Sequence, residues 1–118
     1  MKDRSVRLRL NDIVRAIDGA AATIGASDFE NFRRTYHMLR TIERCIEIVS
    51  EATRHLPAEF KQRYPHIPWQ PIAGIGNVLR HDYDIVDERI IWEVATIHFP
   101  ELRKVIVELK VLLPEEDE

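Results

Sequence analysis

The chain of 118 residues contains a single cysteine, Cys45, and only four glycines. One cysteine excludes an internal disulfide and a metal site built from cysteines, which fits a reducing compartment, so we expect a cytoplasmic protein. Because Cys45 lies among apolar residues of a helical pattern, we interpret it as a small buried side chain rather than a reactive thiol. With 45% hydrophobic residues, the composition is typical of a folded globular chain.

Long hydrophobic runs and an excess of positive charge are also lacking. No apolar run approaches the ~20 residues of a membrane span, and the N-terminal stretch MKDRSVRLRLND has no apolar core of a signal peptide, so we expect no membrane association. The net charge of -3 does not favour a protein that coats nucleic acid through bulk electrostatics. The length fits one domain over residues 1–118, and the acidic tail at 114–118 is expected to fray.

Apolar residues instead recur at steps of three and four, which predicts amphipathic helices. A first helix is predicted from about residue 4 to residue 24, ended by Gly25 and followed by a cap at Ser27 or Asp28. A second, single helix is predicted to continue to Leu56, with about 27 residues and a length of roughly 40 Å. The two apolar stripes are Val6, Leu10, Ile13, Ile17, Ala21 and Ile24, and then Phe32, Tyr36, Leu39, Ile42, Ile46, Val49 and Ala52.

Prolines divide the remaining chain. Pro57 is expected in the first turn of a short helix, and the following prolines end it at an extended corner. A third main helix is predicted over Trp69 to Arg80, and Asp84 or Asp87 is expected to cap the last helix, which Pro100 kinks or restarts. Its inward side chains are predicted to be Ile90, Ile91, Val94 and Ile97, and then Leu102, Val105, Ile106, Leu109 and Leu112. No alternating strand pattern longer than a few residues is present, so the predicted fold is an all-α, antiparallel bundle of four to five helices.

The stretch "GIGNVLRHDYD" is unusually polar for a helix of such a bundle. On an ideal helix Asn77 and His81 are one turn apart on one face, and Asp84 follows one turn later. Gly74 and Gly76 lie just upstream, and each costs up to about 1 kcal/mol in a helix interior. Their missing side chains leave room for another backbone, a partner subunit or a substrate.

Three side chains of this stretch suit chemistry on RNA. An imidazole such as His81 exchanges protons near neutral pH, and the Arg80 guanidinium matches a phosphate in a bidentate fork. Tyr83 can donate a hydrogen bond or stack on a base. Together they would allow metal-independent cleavage in which the 2'-hydroxyl attacks the adjacent phosphate. In the alternative interpretation, His81 is an ordinary surface residue and Arg80 pairs with nearby carboxylates.

A metal site is not expected. His81 and Asp84 have helical spacing, but no third ligand lies near them in the sequence, and the other histidines are scattered. We also expect no cofactor.

The run "IPWQPIAGIGNVLRHDYDIVDERIIWEV", preceded by "RTIERCIEIVSEATRHLP" and followed by "FPELRKVIVEL", resembles the HepT-like family of minimal toxins within the HEPN superfamily of helical domains. The similarity extends from about residue 8 to residue 112 in the same order and spacing. It implies a four- to five-helix bundle that dimerises, so that two active-site segments meet in a cleft.

The resemblance also implies an activity, namely a metal-independent endoribonuclease used as a toxin and neutralised by a nucleotidyltransferase-fold antitoxin. His81 matches the catalytic histidine of the family, and Asn77 matches the polar residue one helical turn before it. Tyr83 matches the tyrosine to which some antitoxins transfer AMP. The predicted site therefore consists of His81, Arg80 and Asn77, with Tyr83 as the candidate for AMPylation.

One position departs from the family pattern, which has Arg-Asn, three residues, His, one residue and Tyr. This chain has Gly76 in place of the arginine that would hold the RNA phosphate, and Arg80 is the candidate replacement. The alternative is a catalytically degenerate HEPN module that acts through protein or nucleotide binding.

Overall fold

The computed structural model describes residues 2–82, 84 and 86–113, which form an all-α bundle with no strand in these ranges. Its elements are α1 (Lys2–Ile24), α2 (Phe29–Arg34), α3 (Tyr36–Arg54), α4 (Ala58–Arg63), α5 (Trp69–Asp82), α6 (Glu88–Glu93), a π-helical turn (Val94–His98) and α7 (Phe99–Leu112). Helix α1 packs against α3 and α7, and α3 packs against α5. The predicted fold class is confirmed, whereas the predicted fraying of 114–118 lies outside the described residues.

Helix α1 follows its predicted stripe closely. Leu10 and Ile13 are fully buried, and the helix ends where Gly25 adopts a positive φ of 52°. A positive φ is the backbone conformation that glycine adopts without steric cost, so this residue is suited to the end of the helix. The differences are that Ala16 and Ala20 face the core, whereas the predicted Ala21 is exposed.

The predicted single helix from the Ser27–Asp28 cap to Leu56 is wrong, because it is interrupted at Thr35. The predicted cap at Asp28 is present, with its carboxylate accepting a hydrogen bond from the Asn31 N–H at 2.9 Å. Thr35 has extended backbone angles, and its hydroxyl donates to the Asn31 carbonyl at 2.6 Å. This local hydrogen bond competes with helix continuation, so α2 and α3 are separate elements.

The last helix contains a π-helical turn that the sequence did not predict. Val94–His98 forms this turn, which ends two residues before Pro100, and the Phe99 N–H donates to the carbonyl of Val94, five residues earlier. One additional residue per turn changes the phase of the helix, so the buried residues fall at Ile91, Ala95 and Phe99. The predicted inward orientation is wrong for three residues: Ile90, Ile97 and Leu112 expose 48%, 58% and 54% of their surface.

Helices α3 and α5 run antiparallel and approach closely at a serine. The buried Ser50 hydroxyl donates to the Ala73 carbonyl at 2.8 Å and accepts from the Gly76 N–H at 3.1 Å. A Cβ atom at position 76 would lie 2.5 Å from Ser50 Oγ, so a side chain there would force the helices apart. Nearer the end of α3, Arg54 adds a second hydrogen bond to the Ala73 carbonyl, at 3.1 Å. These contacts fix the rotation of α5 about its own axis.

Candidate active site

The exposed face of α5 carries the two polar residues that the sequence places one turn apart. Gly76 and Leu79 are buried against the rest of the bundle, whereas Asn77 and His81 are exposed. Since residues four apart lie on the same side of a helix, the structure brings Asn77 and His81 together on one open surface. An imidazole in this position is accessible to a large substrate.

One predicted neighbour of His81, Asp84, does not continue this face. Helix α5 ends at Asp82, so the expected continuation of the helical face to Asp84 is wrong; Asp84 lies in an exposed 3₁₀ turn after the helix. The candidate residue Tyr83 lies outside the described residues. Asp87 rather than Asp84 caps the next helix, since its carboxylate accepts from the Arg89 N–H at 2.8 Å.

Arg80 points away from His81. Consecutive residues of an α-helix are about 100° apart around the axis, and the Arg80 side chain lines a groove of about 400 Å³ that also contacts α1 and α3. His81 does not line this groove. Within one protomer, the Arg80 guanidinium and the His81 imidazole therefore lie on different sides of the end of α5. We name this groove the α1–α3 groove; its lining residues are Arg9, Asp12, Arg44, Glu47, Ile48, Glu51, Ala52 and Arg80.

The charges of the α1–α3 groove are only partly paired. Arg44 lies 3.1 Å from the Glu47 carboxylate. Hydrogen bonds from Arg54 and His55 lower the pKa of Glu51 to about 2, so this carboxylate is also engaged. By contrast, the Arg9 and Arg80 side chains form no ion pair with another residue of the described chain. Two guanidinium groups are thus available to an anionic ligand, with Asp12 as the remaining opposing charge.

The missing motif arginine has a steric explanation. Position 76 faces Ser50 rather than solvent, so an arginine there could not project onto the open face without moving α5 away from α3. Gly74, by contrast, is exposed, and a Cβ added there would meet no atom within 4 Å. The expectation that the glycines permit close approach holds at Gly76 only, and there the approaching helix belongs to the same chain.

Sequence reasoning missed the basic residues of the α1–α3 groove. Arg9 and Arg44 lie far from Arg80 in the chain, and they become neighbours only when α1, α3 and α5 pack together. The local signal was a glycine in a helix interior, which indicates a close contact but does not identify the partner helix.

An apolar groove lies elsewhere on the bundle. A groove of about 200 Å³ between α5 and the π-helical turn is lined by apolar side chains that include Ile72, Ile75 and Phe99, with His98 at its edge. Neither Arg80 nor His81 lines it. Over the described ranges, no group of three or more His, Cys, Asp or Glu side chains is arranged to hold a metal ion, and no helix is long and apolar enough to cross a membrane.

The all-α bundle agrees with the architecture of HEPN-like helical domains, and one of its helices exposes a histidine and an asparagine. A family model described as "Ribonuclease HepT-like" matches residues 13–109, and the chain belongs to this family. The resemblance seen in the motif residues is thereby confirmed.

Curated relatives carry names of the same kind. "Putative RNase TTE0752" of Caldanaerobacter subterraneus is 33% identical over 106 residues, which cover 90% of this chain and 95% of the relative. "Putative RNase MJ0125" of Methanocaldococcus jannaschii is 32% identical, covering 88% of this chain and 90% of the relative. "Probable ribonuclease HepT" of Thermococcus cleftensis is 32% identical, with coverages of 85% and 91%. No solved structure matches the chain significantly.

Proposed function

We propose that this protein is a metal-independent endoribonuclease in which His81 exchanges the protons of the reaction. The observation that carries the proposal is the open face of α5, where the His81 imidazole and Asn77 are exposed beside a groove that contains Arg80. Membership of a ribonuclease family and the RNase names of its relatives support RNA as the substrate.

The proposed reaction is a transesterification within RNA. The 2'-oxygen forms a bond to the adjacent phosphorus, and the bond from phosphorus to the 5'-oxygen breaks. The products are a 2',3'-cyclic phosphate and a 5'-hydroxyl end; one proton leaves the 2'-hydroxyl and one is taken up by the departing 5'-oxygen. His81 serves one of these transfers as base or acid, which typically contributes about 10²- to 10⁴-fold in rate.

In this proposal Arg80 is the phosphate clamp and Asn77 is a hydrogen-bonding neighbour of the reacting group. A guanidinium binds phosphate oxygens in a bidentate fork, and Arg9 and Arg44 line the same groove as Arg80. Since Arg80 and His81 point to different sides of α5, one RNA strand would cross the end of the helix to contact both. A homodimer in which two α5 segments face each other would bring two imidazoles to one cleft.

We further propose that the protein is the toxin of a toxin-antitoxin pair. Its partner would be a nucleotidyltransferase-fold antitoxin that transfers AMP from ATP to the Tyr83 hydroxyl. In that step the tyrosine oxygen bonds to the α-phosphorus and pyrophosphate leaves. Intact mass after incubation with ATP, magnesium and the neighbouring nucleotidyltransferase tests this role: Tyr83→Phe should abolish a gain of one AMP adduct.

Cleavage of RNA in the presence of EDTA tests the nuclease proposal. We expect the purified chain to cut RNA without added metal and His81→Ala to lose about 10²-fold or more in rate. His66→Ala is the matched control, because His66 is also exposed but lies in the turn before α5. Equal cleavage by the parent protein and His81→Ala would refute the assignment of His81.

The second candidate function is a non-catalytic binding module. The burial of Gly76 against Ser50 favours it, because this helix packing leaves no room for the arginine of the family motif. Such a module would cut no RNA at any protein concentration. It would still copurify with its nucleotidyltransferase partner, and His81→Ala would not weaken that association.

A further inference from the structure

Tyr36 is the one tyrosine, phenylalanine or tryptophan of the described residues that is mostly exposed. The apolar stripe of the sequence predicted that it faces the core, but 66% of its surface is accessible. The neighbouring stripe positions Phe32 and Leu39 are buried as predicted. Tyr36 therefore offers the one largely open tyrosine, phenylalanine or tryptophan ring among the described residues.

The position of Tyr36 relative to the candidate active site follows from the packing of α3 on α5. One face of α3 carries a stripe of residues at steps of four and three, namely Tyr36, Arg40, Glu43, Glu47, Ser50 and Arg54. Ser50 and Arg54 hydrogen-bond to the α5 backbone, and Glu47 lies beside Gly76. The first residues of the stripe extend past Asp82, where α5 ends.

A shallow pocket of about 330 Å³ confirms this arrangement. It is lined by Tyr36, Arg40 and Glu43 of α3 and by Leu79 of α5, which lies two residues before His81. Because α3 and α5 are antiparallel, the 1.5 Å rise per residue places Tyr36 about 14 Å beyond the level of His81 along the helix axis. A short stretch of extended single-stranded RNA spans such a distance.

Arg40 holds the tyrosine ring on one side. Its guanidinium carbon lies 5.1 Å from the centre of the Tyr36 ring, and Glu43 hydrogen-bonds to the same guanidinium. A side chain fixed in this way loses little conformational freedom when a ligand binds. The net charge of -3 gives no general attraction for RNA, so a nucleic-acid substrate needs local contacts of this kind.

We propose that Tyr36 and Arg40 form a base-stacking platform for a nucleotide flanking the cleaved phosphate of single-stranded RNA. An unpaired base would lie on the open face of the tyrosine ring, and the Arg40 guanidinium, which donates a hydrogen bond to Glu43, would support the ring. Aromatic stacking on bases is the common way in which proteins bind single-stranded RNA, and it depends little on base identity. The platform rests on the proposed ribonuclease function and names its substrate as unpaired rather than duplex RNA.

Binding of a labelled single-stranded RNA tests the platform without cleavage. The full-length chain with His81→Ala is titrated against a fluorescein-labelled oligoribonucleotide in EDTA, and fluorescence anisotropy gives the affinity. We expect Tyr36→Ala to weaken binding by about 5- to 100-fold, the range of base–aromatic stacking. Tyr36→Phe retains the ring and should bind like the parent. Val111→Ala is the matched control, since Val111 is 78% exposed on α7, and it should leave affinity unchanged.

A set of oligoribonucleotides, each with one abasic position, shows whether Tyr36→Ala weakens binding by loss of stacking or by a change in the structure of the protein. One abasic position should weaken binding to the parent but not to Tyr36→Ala, because the platform is already lost there. Equal affinity of the parent and Tyr36→Ala would overturn the proposal, and so would a parent that binds no single-stranded RNA. If RNA is cleaved equally well with and without Tyr36, the platform is refuted but the ribonuclease function is not. If binding depends on Tyr36 but the wild-type chain cleaves no RNA, only the ribonuclease function is refuted.

Discussion

Ser50 packs directly against Gly76 where α3 meets α5. The serine hydroxyl accepts the Gly76 N–H at 3.1 Å and donates to the Ala73 carbonyl at 2.8 Å, so one side chain bridges two points of the α5 backbone. The contact turns position 76 toward the bundle and leaves Asn77 and His81 on the open side. The orientation of the candidate catalytic face thus depends on a glycine that touches no substrate.

Alanine substitutions at the two glycines of α5 should have opposite effects on stability. Gly76→Ala places a Cβ 2.5 Å from Ser50 Oγ and should lower the free energy of unfolding by about 1–3 kcal/mol. Gly74→Ala is its matched control, because nothing lies within 4 Å of the added atom, and it should raise stability by up to about 1 kcal/mol. Urea denaturation measures both; a shift of the same sign in the two variants would contradict the packing.

Restoring the arginine of the family motif should not restore a stronger enzyme. Gly76→Arg forces a long side chain into the contact with Ser50, so we expect a lower unfolding midpoint than for Gly76→Ala and no increase in RNA cleavage. Cleavage by the soluble, folded fraction is the readout, with circular dichroism as the measure of folding. A faster enzyme with an unchanged midpoint would show that position 76 reaches the open face.

Removal of the proposed phosphate clamp should slow cleavage while the fold is retained. Arg80→Ala eliminates an exposed guanidinium of the α1–α3 groove, and loss of one such charge typically costs about 10²-fold or more in rate. Arg80→Lys should retain part of the activity, because an ammonium group supplies the charge but not the bidentate fork. Arg34→Ala, which removes an exposed arginine outside the groove, is the control. Equal single-turnover rates for Arg80→Ala and the parent would exclude this role.

The Glu51 cluster should make stability depend on pH in the acidic range. Hydrogen bonds from Arg54 and His55 lower the pKa of Glu51 from 4.5 to about 2 in the folded chain. A depressed carboxyl pKa contributes stability above the unfolded pKa, and the contribution is lost as the pH falls from about 4.5 toward 2. Urea denaturation at pH 7 and pH 3 should therefore show that the free energies of unfolding of wild type and Glu51→Gln differ less at pH 3 than at pH 7.

Glu59→Gln is the control for this titration. Glu59 is exposed on α4 and forms no salt bridge with another described residue. Its substitution should change stability by the same small amount at both pH values. If the difference in the free energy of unfolding between wild type and Glu51→Gln is the same at both pH values, the lowered pKa of Glu51 is contradicted.

Most of the helical architecture was predictable because apolar spacing reports directly which face of each helix is buried. The end of α1 before Gly25 and the start of α5 at Trp69 matched the predictions. The break at Thr35 was not predictable from spacing, because the apolar stripe continues through a residue whose backbone is extended. The same stripe misplaced Tyr36, because α5 ends before it can cover that part of α3.

The candidate site was predictable only along a single helix. The four-residue spacing of Asn77 and His81 fixed their common face, and the structure places both in solvent. The direction of Arg80 was not predictable, because its neighbours Arg9 and Arg44 come from two other helices. Spacing on one helix carries no information about such long-range neighbours. For the same reason, the sequence did not show that Gly76 packs against Ser50 of α3.

The π-helical turn makes the last helix unusually sensitive to a change in length. Deleting one residue from Val94–His98 would convert the turn to ordinary α-helix and rotate α6 by about 100° relative to α7. Ile90 would then take the place of Ile91, and Trp92 would leave Phe32, whose ring centre is 5.2 Å away. Loss of one codon there would therefore turn the buried side chains of α6 about a quarter turn away from the core.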